Sequence, residues 1–284
     1  MIQTLRQIKS RIRSIENTKK LTRAMEMISI TKLRRTRKVL EPSVAYFLRV
    51  ERILKNLTSR DDGLTHPLFR DDPEKEDVAL LTVTSDTGLC SAYNHALIAE
   101  ADAFCKEHGP SRVQVMALGR KGFTYFKKRG TLLSHAYVGH TGRFSEALVA
   151  KVLEDIMAMF LTGDCREVYA VYPHIASAAR YNVVIDRILP LRFDDVEPVD
   201  YLTEPDRDAV IEALVPMYMR AKVRAILLHA FTAEHQARSI AMGEATQNAV
   251  ELLEKLVLLR NKVRQANITK EMLEIISSTE ALKG

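Results

Sequence analysis

Cysteine is scarce in this sequence. The 284 residues contain three cysteines, Cys90, Cys105 and Cys165, and no two of them form a CxxC pair. Three scattered thiols are too few to staple a chain of this length, and structural zinc needs closely spaced ligands. We therefore expect reduced thiols, no disulfide framework and no structural zinc.

Long apolar runs are also missing. No uninterrupted apolar stretch approaches the ~18 residues that suggest a membrane span. Residues 1–30 carry charges throughout, where a signal peptide needs an apolar stretch. Hydrophobic residues make up 46% of the chain and charged residues 27%, a composition typical of a protein with a folded core. The sequence predicts a folded, soluble, cytoplasmic protein.

No fingerprint of catalysis, nucleotide binding or metal binding is present. The loop SDTGLC, residues 85–90, has one glycine, Gly88, without GxGxxG or GxxxxGK[ST] around it, and the turn at residues 119–122 is equally short of a fingerprint. The eight histidines include no HExxH, and no serine lies in GxSxG. We expect no catalytic residue, cofactor or metal. A Rossmann-like enzyme with helical extensions remains an alternative, and it would need a nucleotide site.

Positive charge is concentrated at the amino terminus. Residues 1–60 contain 16 Lys or Arg against 4 Asp or Glu, a balance of +12 in a chain whose net charge is +6. A basic arm indicates an anionic partner. Residues 32–38 hold five basic side chains, but residues 1–40 contain no aromatic residue that could stack on a base. A basic coiled-coil protein that binds nucleic acid is therefore an alternative with partial support.

The amino-terminal segment has the apolar spacing of a helix. Intervals of three and four separate Leu5, Ile8, Ile12 and Ile15, and after a polar gap the same spacing returns at Leu21, Met25 and Ile28. Pro42 predicts a kink or a break, because proline removes a backbone donor, so two helical segments nearly end to end are expected. Residues 58–76, with glycine, prolines and aspartates, are predicted to be a linker.

The central segment alternates between strand and helix patterns. Short apolar or β-branched runs begin near residues 78, 113, 166 and 181, with a further candidate in TLLSHAYV, residues 131–138. Helical patterns lie between them near residues 95–108, 119–129 and 145–161. This alternation predicts an α/β, Rossmann-like domain with a largely parallel sheet. An acidic connector with Asp194, Asp195, Glu197 and Asp200 follows it.

The carboxyl-terminal segment predicts a long helix. Thr203, followed by Pro205 and Asp206, has the chemistry of a helix start with the Thr203 hydroxyl as the cap, and Pro216 indicates a bend near its base. A heptad seam then runs through Ala245, Ala249, Leu252, Leu256, Leu259, Val263 and Ala266. Each terminal helix has a narrow apolar stripe, so the two are expected to pair as an antiparallel coiled coil. The predicted domains are residues 1–60 and 206–284, which form the coil, and residues 75–200.

Several motifs resemble the gamma subunit of F-type ATP synthase. The amino-terminal run contains TRAMEM, residues 22–27, and KLRR, residues 32–35, which are similar to the first helix of that family. The long-helix motifs are YLTEPD at 201–206, AEHQARSIAMGEATQNA at 233–249 and NKVRQANITKEMLEIISSTEAL at 261–282. The loop SDTGLC departs from the family pattern, because Thr87 replaces an arginine and Ser91-Ala92-Tyr93 replaces Gly-Gly-Leu.

The resemblance implies a central rotor shaft and no catalysis by this chain alone. The shaft would transmit torque between a membrane c-ring and a hexamer of alpha and beta subunits, in a 3:3:1 complex of alpha, beta and gamma, and it would also bind the epsilon subunit. Its place would be the periphery of the bacterial inner (plasma) membrane, on the cytoplasmic face. Nucleic acid is not among the expected partners.

The resemblance also implies which residues contact the alpha/beta ring. Arg264 and Gln265 correspond to the family pair that hydrogen-bonds a beta loop. Near a beta acidic segment the expected contacts are Met25, Lys19, Lys20 and Arg23. Small or apolar residues at the tip of the long helix, Ile275, Ile276, Ala281 and Leu282, would let the shaft turn without strong fixed contacts.

Overall fold

The computed structural model describes residues 4–58, 66–177, 180–193 and 203–281. The expected acidic connector and Leu282 lie outside these ranges. The chain forms two compact units, one of residues 29–238 and one that combines residues 1–28 with 239–284. The expected domain boundaries stay predictions. No helix within the described ranges is long and apolar enough to cross a membrane.

A five-stranded sheet organises the unit of residues 29–238. Its strands are β1 (Val78–Val83), β2 (Val113–Leu118), β3 (Leu133–Tyr137), β4 (Glu167–Ile175) and β5 (Tyr181–Leu189). The connecting helices are α2 (Tyr93–Glu107), α3 (Arg120–Arg129) and α4 (Glu146–Leu161). Every predicted strand and helix of this region is confirmed. The predicted linker contains a short 3-10 turn, Pro67–Phe69, which buries Leu68.

The sheet is largely parallel, as predicted. Its strand order is β3-β2-β1-β4-β5, with the first three pairings parallel and the β4–β5 pairing antiparallel. All six residues of β1 are buried. A strand that is covered on both faces favours a continuous apolar run such as VALLTV, which explains why this segment does not alternate.

The first helix, α1 (Leu5–Thr58), continues through Pro42, so the predicted break is wrong. The proline ring removes one amide donor, but Leu40 and Ser43 on either side of it are both buried, each 5% exposed. Beyond the proline, Val50, Leu54 and Leu57 pack into the main hydrophobic core. Packing on both sides of Pro42 therefore keeps one continuous helix where local propensity favours two.

The last helix, α5 (Arg207–Ala281), begins at the predicted start motif, but its cap is a different residue from the one expected. The carboxylate of Asp206 accepts the Ala209 amide at 2.8 Å, so Asp206 is the N-cap and the predicted cap at Thr203 is wrong. Aspartate caps a helix well because its negative charge also interacts favourably with the positive end of the helix dipole. The helix continues through Pro216 without a break.

The predicted seam of α1 is confirmed at Ile8 and Ile12, which are buried, but after the polar gap it is shifted by one residue. Leu21 and Ile28 are 59% and 57% exposed, whereas Thr22 and Ser29 are only 8% and 3% exposed. Thr22 and Ser29 continue the seven-residue spacing that starts at Ile8. Small hydroxyl side chains permit close helix approach, so they occupy the seam although they are polar.

The predicted seam of α5 is confirmed at some positions and wrong at others. Ala249 and Leu256 are buried, and Val263 packs beside Leu256 in the hydrophobic cluster with Ile8 and Ile12 of α1. The other half is wrong, because Leu252 and Leu259 are both 39% exposed. Leu253, one residue after Leu252, packs into the cluster instead.

The two helices pair antiparallel, as predicted. In the unit of residues 1–28 and 239–284, Ile8 packs with Leu256, and Thr22 lies 2.8 Å from Thr246. In the other unit, the Arg207 side chain donates to the Leu57 carbonyl at 2.6 Å. In that unit Phe47 and Tyr218 also contact each other, with ring centroids 5.5 Å apart. Within each unit, the residue number of the contact on α5 falls as the residue number on α1 rises, which defines an antiparallel pair.

Candidate functional site

The predicted contact residues of α1 form one partly solvent-facing group. Lys19, Lys20 and Arg23 are exposed, and Met25 is half-buried. The Arg23 guanidinium donates to Glu26 at 3.1 Å, which leaves most of its surface to solvent. The three basic side chains therefore face solvent.

The predicted contact pair of α5 is exposed. Arg264 and Gln265 are both exposed on the helix surface. Arg264 forms no ion pair with a residue that the structure describes. A guanidinium with free donors can bind a carbonyl or a carboxylate through two parallel hydrogen bonds.

The structure separates these two groups of predicted residues. Thr22, in the middle of the α1 group, lies beside Thr246. Arg264 follows Thr246 by 18 residues on the same helix, which is about 27 Å at the rise of an α-helix. A single partner surface that contacts both groups would have to span this distance. Otherwise, each group contacts a different partner surface.

The carboxyl-terminal part of α5 exposes a row of large apolar side chains. Their exposed fractions range from 46% to 69%, and they are Leu258, Ile268, Met272, Leu273, Ile275 and Ile276. Single exposed apolar residues are normal on a protein surface, but a contiguous series marks an interaction surface. The expected tip residues Ile275 and Ile276 belong to it. The side chain of Ala281 and all of Leu282 lie outside the described part of the chain.

The loop that holds Gly88 lies at the carboxyl edge of the sheet, where α/β folds commonly bind ligands. Here the Asp86 carboxylate accepts backbone amides from Arg120, Gly139 and Thr141 at 3.0, 3.1 and 2.6 Å. Burial opposes ionisation of Asp86, but these three amides hold the pKa of its carboxyl below the ordinary value. Amides that could bind a phosphate therefore bind a side chain of the protein itself.

Sequence reasoning missed a polar cluster at the same edge. Arg238 of α5 donates to the Thr87 carbonyl and hydroxyl at 3.2 and 3.0 Å and to the Gly88 carbonyl at 3.3 Å. Its guanidinium also lies 2.8 Å from Glu234. A cation thus reaches the loop at Thr87 from a distant helix. The only signal in the sequence was the charged run within AEHQARS, whose burial the periodicity did not indicate.

Metal and thiol chemistry find no support in the described residues. No group of three or more His, Cys, Asp or Glu side chains within the described ranges could hold a metal ion. The three cysteines are free and buried. Burial raises the pKa of the Cys105 thiol to about 11 and that of Cys165 to about 12, so both stay protonated near neutral pH.

Comparison with known proteins identifies relatives of the whole chain. A family model described as ATP synthase matches residues 4–282. An ATP synthase gamma chain from Chlorobium phaeobacteroides (strain BS1) is 34% identical, with 99% of each chain covered. One from Halothermothrix orenii is 35% identical, with 99% of this chain and all of the relative covered.

Solved structures share the fold. A chain in a structure of the Euglena gracilis mitochondrial ATP synthase with F1 and c-ring has a TM-score of 0.69 at 18% identity, covering 98% of this chain and 94% of that one. A chain in the rotor of the same enzyme has a TM-score of 0.63 at 18% identity, covering 93% and 98%. At these identities the likeness concerns the fold.

The comparisons decide between the alternatives raised by the sequence. Neither a basic coiled-coil protein that binds nucleic acid nor a Rossmann-like enzyme finds support among the relatives, whereas the match to gamma chains spans both terminal helices and the α/β region. The chain belongs to the ATP synthase gamma chain family.

Proposed function

We propose that this chain, as the central-stalk rotor subunit of an ATP synthase, turns inside a ring of three alpha and three beta subunits and catalyses no reaction itself. The exposed apolar series from Leu258 to Ile276 carries this proposal. Such a surface is unfavourable in water, and a surrounding protein sleeve would cover it. Apolar contacts are non-directional, so they allow rotation where fixed polar contacts would oppose it.

The absence of a catalytic role has its own structural support. The carboxyl edge of the sheet, the usual ligand site of such folds, is filled by Asp86 and its three amide donors. The chemistry of ATP formation would then belong to the beta subunits. This chain would change their conformations in turn, because an asymmetric shaft presents a different face to each of them.

The polar side chains on the two helices would provide the contacts that differ among beta subunits. Arg264 and Gln265 would hydrogen-bond a beta loop, and a second contact would use Met25, Lys19, Lys20 and Arg23 against an acidic beta segment. All six are solvent-exposed or half-buried. Hydrogen bonds to exposed side chains form and break readily, which suits contacts that recur at discrete angles.

This chain would also bind epsilon and the membrane c-ring. Relatives of this chain are bacterial gamma chains, and no described helix could cross a membrane. As the resemblance to those gamma chains implies, the complex would lie at the periphery of the bacterial plasma membrane, on its cytoplasmic face. Proton flow would drive the c-ring, and the shaft would carry that rotation to the ring.

Co-purification tests the proposal. A tagged form of this chain should bring down alpha and beta in a 3:3:1 complex with ATPase activity. The same preparation should not be retained on DNA even at low salt, where binding to phosphates is strongest. Recovery of the chain alone, or with partners that have no ATPase activity, would contradict the rotor role. Salt-sensitive retention on DNA would favour the nucleic-acid alternative.

A further inference from the structure

The buried part of α5 changes from apolar to polar near its end. Val223, Leu227 and Phe231 pack into the main core, as expected for a helix that lies on a sheet. The following turns bury Glu234 and His235, which are 1% and 0% exposed. Burying such groups costs free energy unless they are hydrogen-bonded, so a polar segment at this place calls for a reason.

Two residues of this segment bind loops at the carboxyl edge of the sheet. Arg238 donates to the loop between β1 and α2 through Thr87 and Gly88. His235 lies with Nε2 2.8 Å from the Gly142 carbonyl in the loop between β3 and α4. The Cβ of any residue larger than glycine at position 142 would lie 2.6 Å from the His235 ring, so this approach is close.

The two loops are also bound to each other and to α1. Asp86 in the first loop accepts the amides of Gly139 and Thr141 in the second. Lys32 of α1 donates to the Thr141 carbonyl at 3.2 Å. We call this group of side chains the polar joint; it consists of Lys32, Asp86, Glu234, His235 and Arg238. It connects both long helices to the sheet through directional bonds.

Apolar packing and the polar joint resist different motions. The apolar core opposes separation of α5 from the sheet, but hydrophobic burial is non-directional. Hydrogen bonds from a planar guanidinium depend on angle, and they weaken steeply when the N–H···O angle falls below about 120°. The polar joint therefore opposes rotation of α5 about its own axis relative to the sheet, alongside the hydrogen bonds from Lys222 to the Arg187 carbonyl and from Tyr93 to the Ala230 carbonyl.

We infer that Arg238, acting through Thr87 and Gly88, is a positioning residue that keeps α5 from turning against the sheet under torque. The inference rests on the proposed rotor function. Torque applied to the α/β part of this unit reaches α5 with little loss when the joint is intact. Without the joint, α5 twists further against the sheet under load, so some ATP hydrolysis events pass without a completed rotation step and fewer protons are pumped per ATP.

The experiment uses the assembled enzyme in inverted membrane vesicles. Two variants weaken the joint: Arg238→Gln removes the fork, and Thr87→Val removes one acceptor while Arg238 stays. The matched control is Arg220→Gln, because Arg220 lies on the same helix and pairs with Glu146 on an exposed face. The readout is proton pumping per ATP hydrolysed, at equal content of this subunit.

Thr87→Val loses one hydrogen bond and should lower the pumping ratio by about 2- to 10-fold. Arg238→Gln loses all three bonds to the loop and the pairing with Glu234, so it should lower the ratio further. The Arg220→Gln ratio should equal that of the wild type. A purely structural role would lower the amount of assembled enzyme and leave the ratio unchanged.

Wild-type ratios in both joint variants would overturn the inference. If Arg238→Gln fails to assemble, the ratio in Thr87→Val decides, because that variant loses one hydroxyl group only. A wild-type enzyme that hydrolyses ATP without pumping protons would overturn the proposed function as well. A coupled wild type with unaffected variants overturns the inference alone.

Discussion

The Thr246 hydroxyl of α5 donates to the Thr22 hydroxyl of α1 at 2.8 Å, and the Thr22 hydroxyl donates to the Lys19 carbonyl at 3.1 Å. A two-step relay of hydroxyl groups thus lies in the seam of the coil, where coiled coils usually place large apolar residues. Each hydroxyl has a partner, which limits the cost of burying it. The relay sets the distance between the helices without a large side chain.

Removing both hydroxyls should stabilise the coil. In Thr22→Val combined with Thr246→Val, apolar groups of the same shape replace two polar ones, which is neutral or favourable. Thr22→Val alone should cost less than about 1 kcal/mol, because Thr246 can donate to the Met242 carbonyl at 2.7 Å instead. Hydrogen exchange of the α1 amides near Thr22 in the assembled enzyme measures both effects. Faster exchange in the double variant than in the single one would contradict this account.

How far the sequence predicts the structure depends on the range of the interactions involved. The strands were predictable because β-branched runs bounded by glycine or proline are local signals. The α1 seam was not, because Thr22 and Ser29 look polar while Leu21 and Ile28 look apolar. Which of them is buried depends on how closely the partner helix approaches, and the spacing of apolar residues in one helix does not contain that distance.

The candidate site shows the same division. The exposure of Arg264 and Gln265 is consistent with the residues that the family resemblance singled out. Arg238 was missed, because its partners Thr87 and Gly88 are about 150 positions away in the chain. Local patterns identify a charged run, and only the folded topology brings a distant loop to it.

Gly142 should tolerate substitution poorly. Its φ of +67° lies in the left-handed region, and an added Cβ would lie 2.6 Å from the His235 ring. Gly142→Ala should therefore destabilise the fold by more than the backbone strain alone. The matched control is Gly130→Ala, because Gly130 has φ +69° and no atom within 4 Å of an added Cβ.

The control should cost about 1 to 2 kcal/mol in the free energy of unfolding, the size of left-handed strain. Gly142→Ala should cost at least about twice as much, as strain and steric conflict add. Urea unfolding of the full-length chain compares the two. Equal losses would show that the loop moves away from His235 freely, and the close approach would then have no energetic weight.

Acid should destabilise the unit of residues 29–238 through two buried histidines. Burial lowers the pKa of His235 to about 4, with Lys32 and Arg238 adding to the effect and the Gly142 bond opposing it. Burial also lowers the pKa of His229 to about 4, with His174 adding to the effect. In the unfolded chain both should titrate near pH 6.5. The unfolded state then binds more protons than the folded state between pH 6.5 and 4, so stability falls as pH falls through that window.

Each histidine should remove about 2 kcal/mol from the free energy of unfolding between pH 7 and pH 5. Urea unfolding of the full-length chain at the two pH values measures the loss. Replacing both residues, His229→Gln with His235→Gln, should flatten this dependence, since glutamine does not titrate. As a control, His95→Gln changes an exposed histidine and should leave the slope as it is. An unchanged slope in the double variant would assign the acid sensitivity to other groups.

Arg264 and Gln265 provide the sharpest test of the ring contact. Arg264→Ala would leave a beta acceptor without its partner. If the contact controls a rotary step, the loss of about 1.5 to 3 kcal/mol lowers the rate by about 10- to 150-fold. Arg264→Lys should recover only part of the lost rate, because an ammonium cannot form two parallel bonds.

The control is Lys262→Ala, which changes an exposed cation two residues away on the same helix. That variant should turn over at the wild-type rate. Steady-state ATP hydrolysis and proton-driven synthesis are measured on complexes of equal stoichiometry, so that an assembly defect is not mistaken for a torque defect. Wild-type turnover in both Arg264→Ala and Gln265→Ala would remove these two residues from the contact, and the shaft would then act on beta through its apolar surface and its α1 group alone.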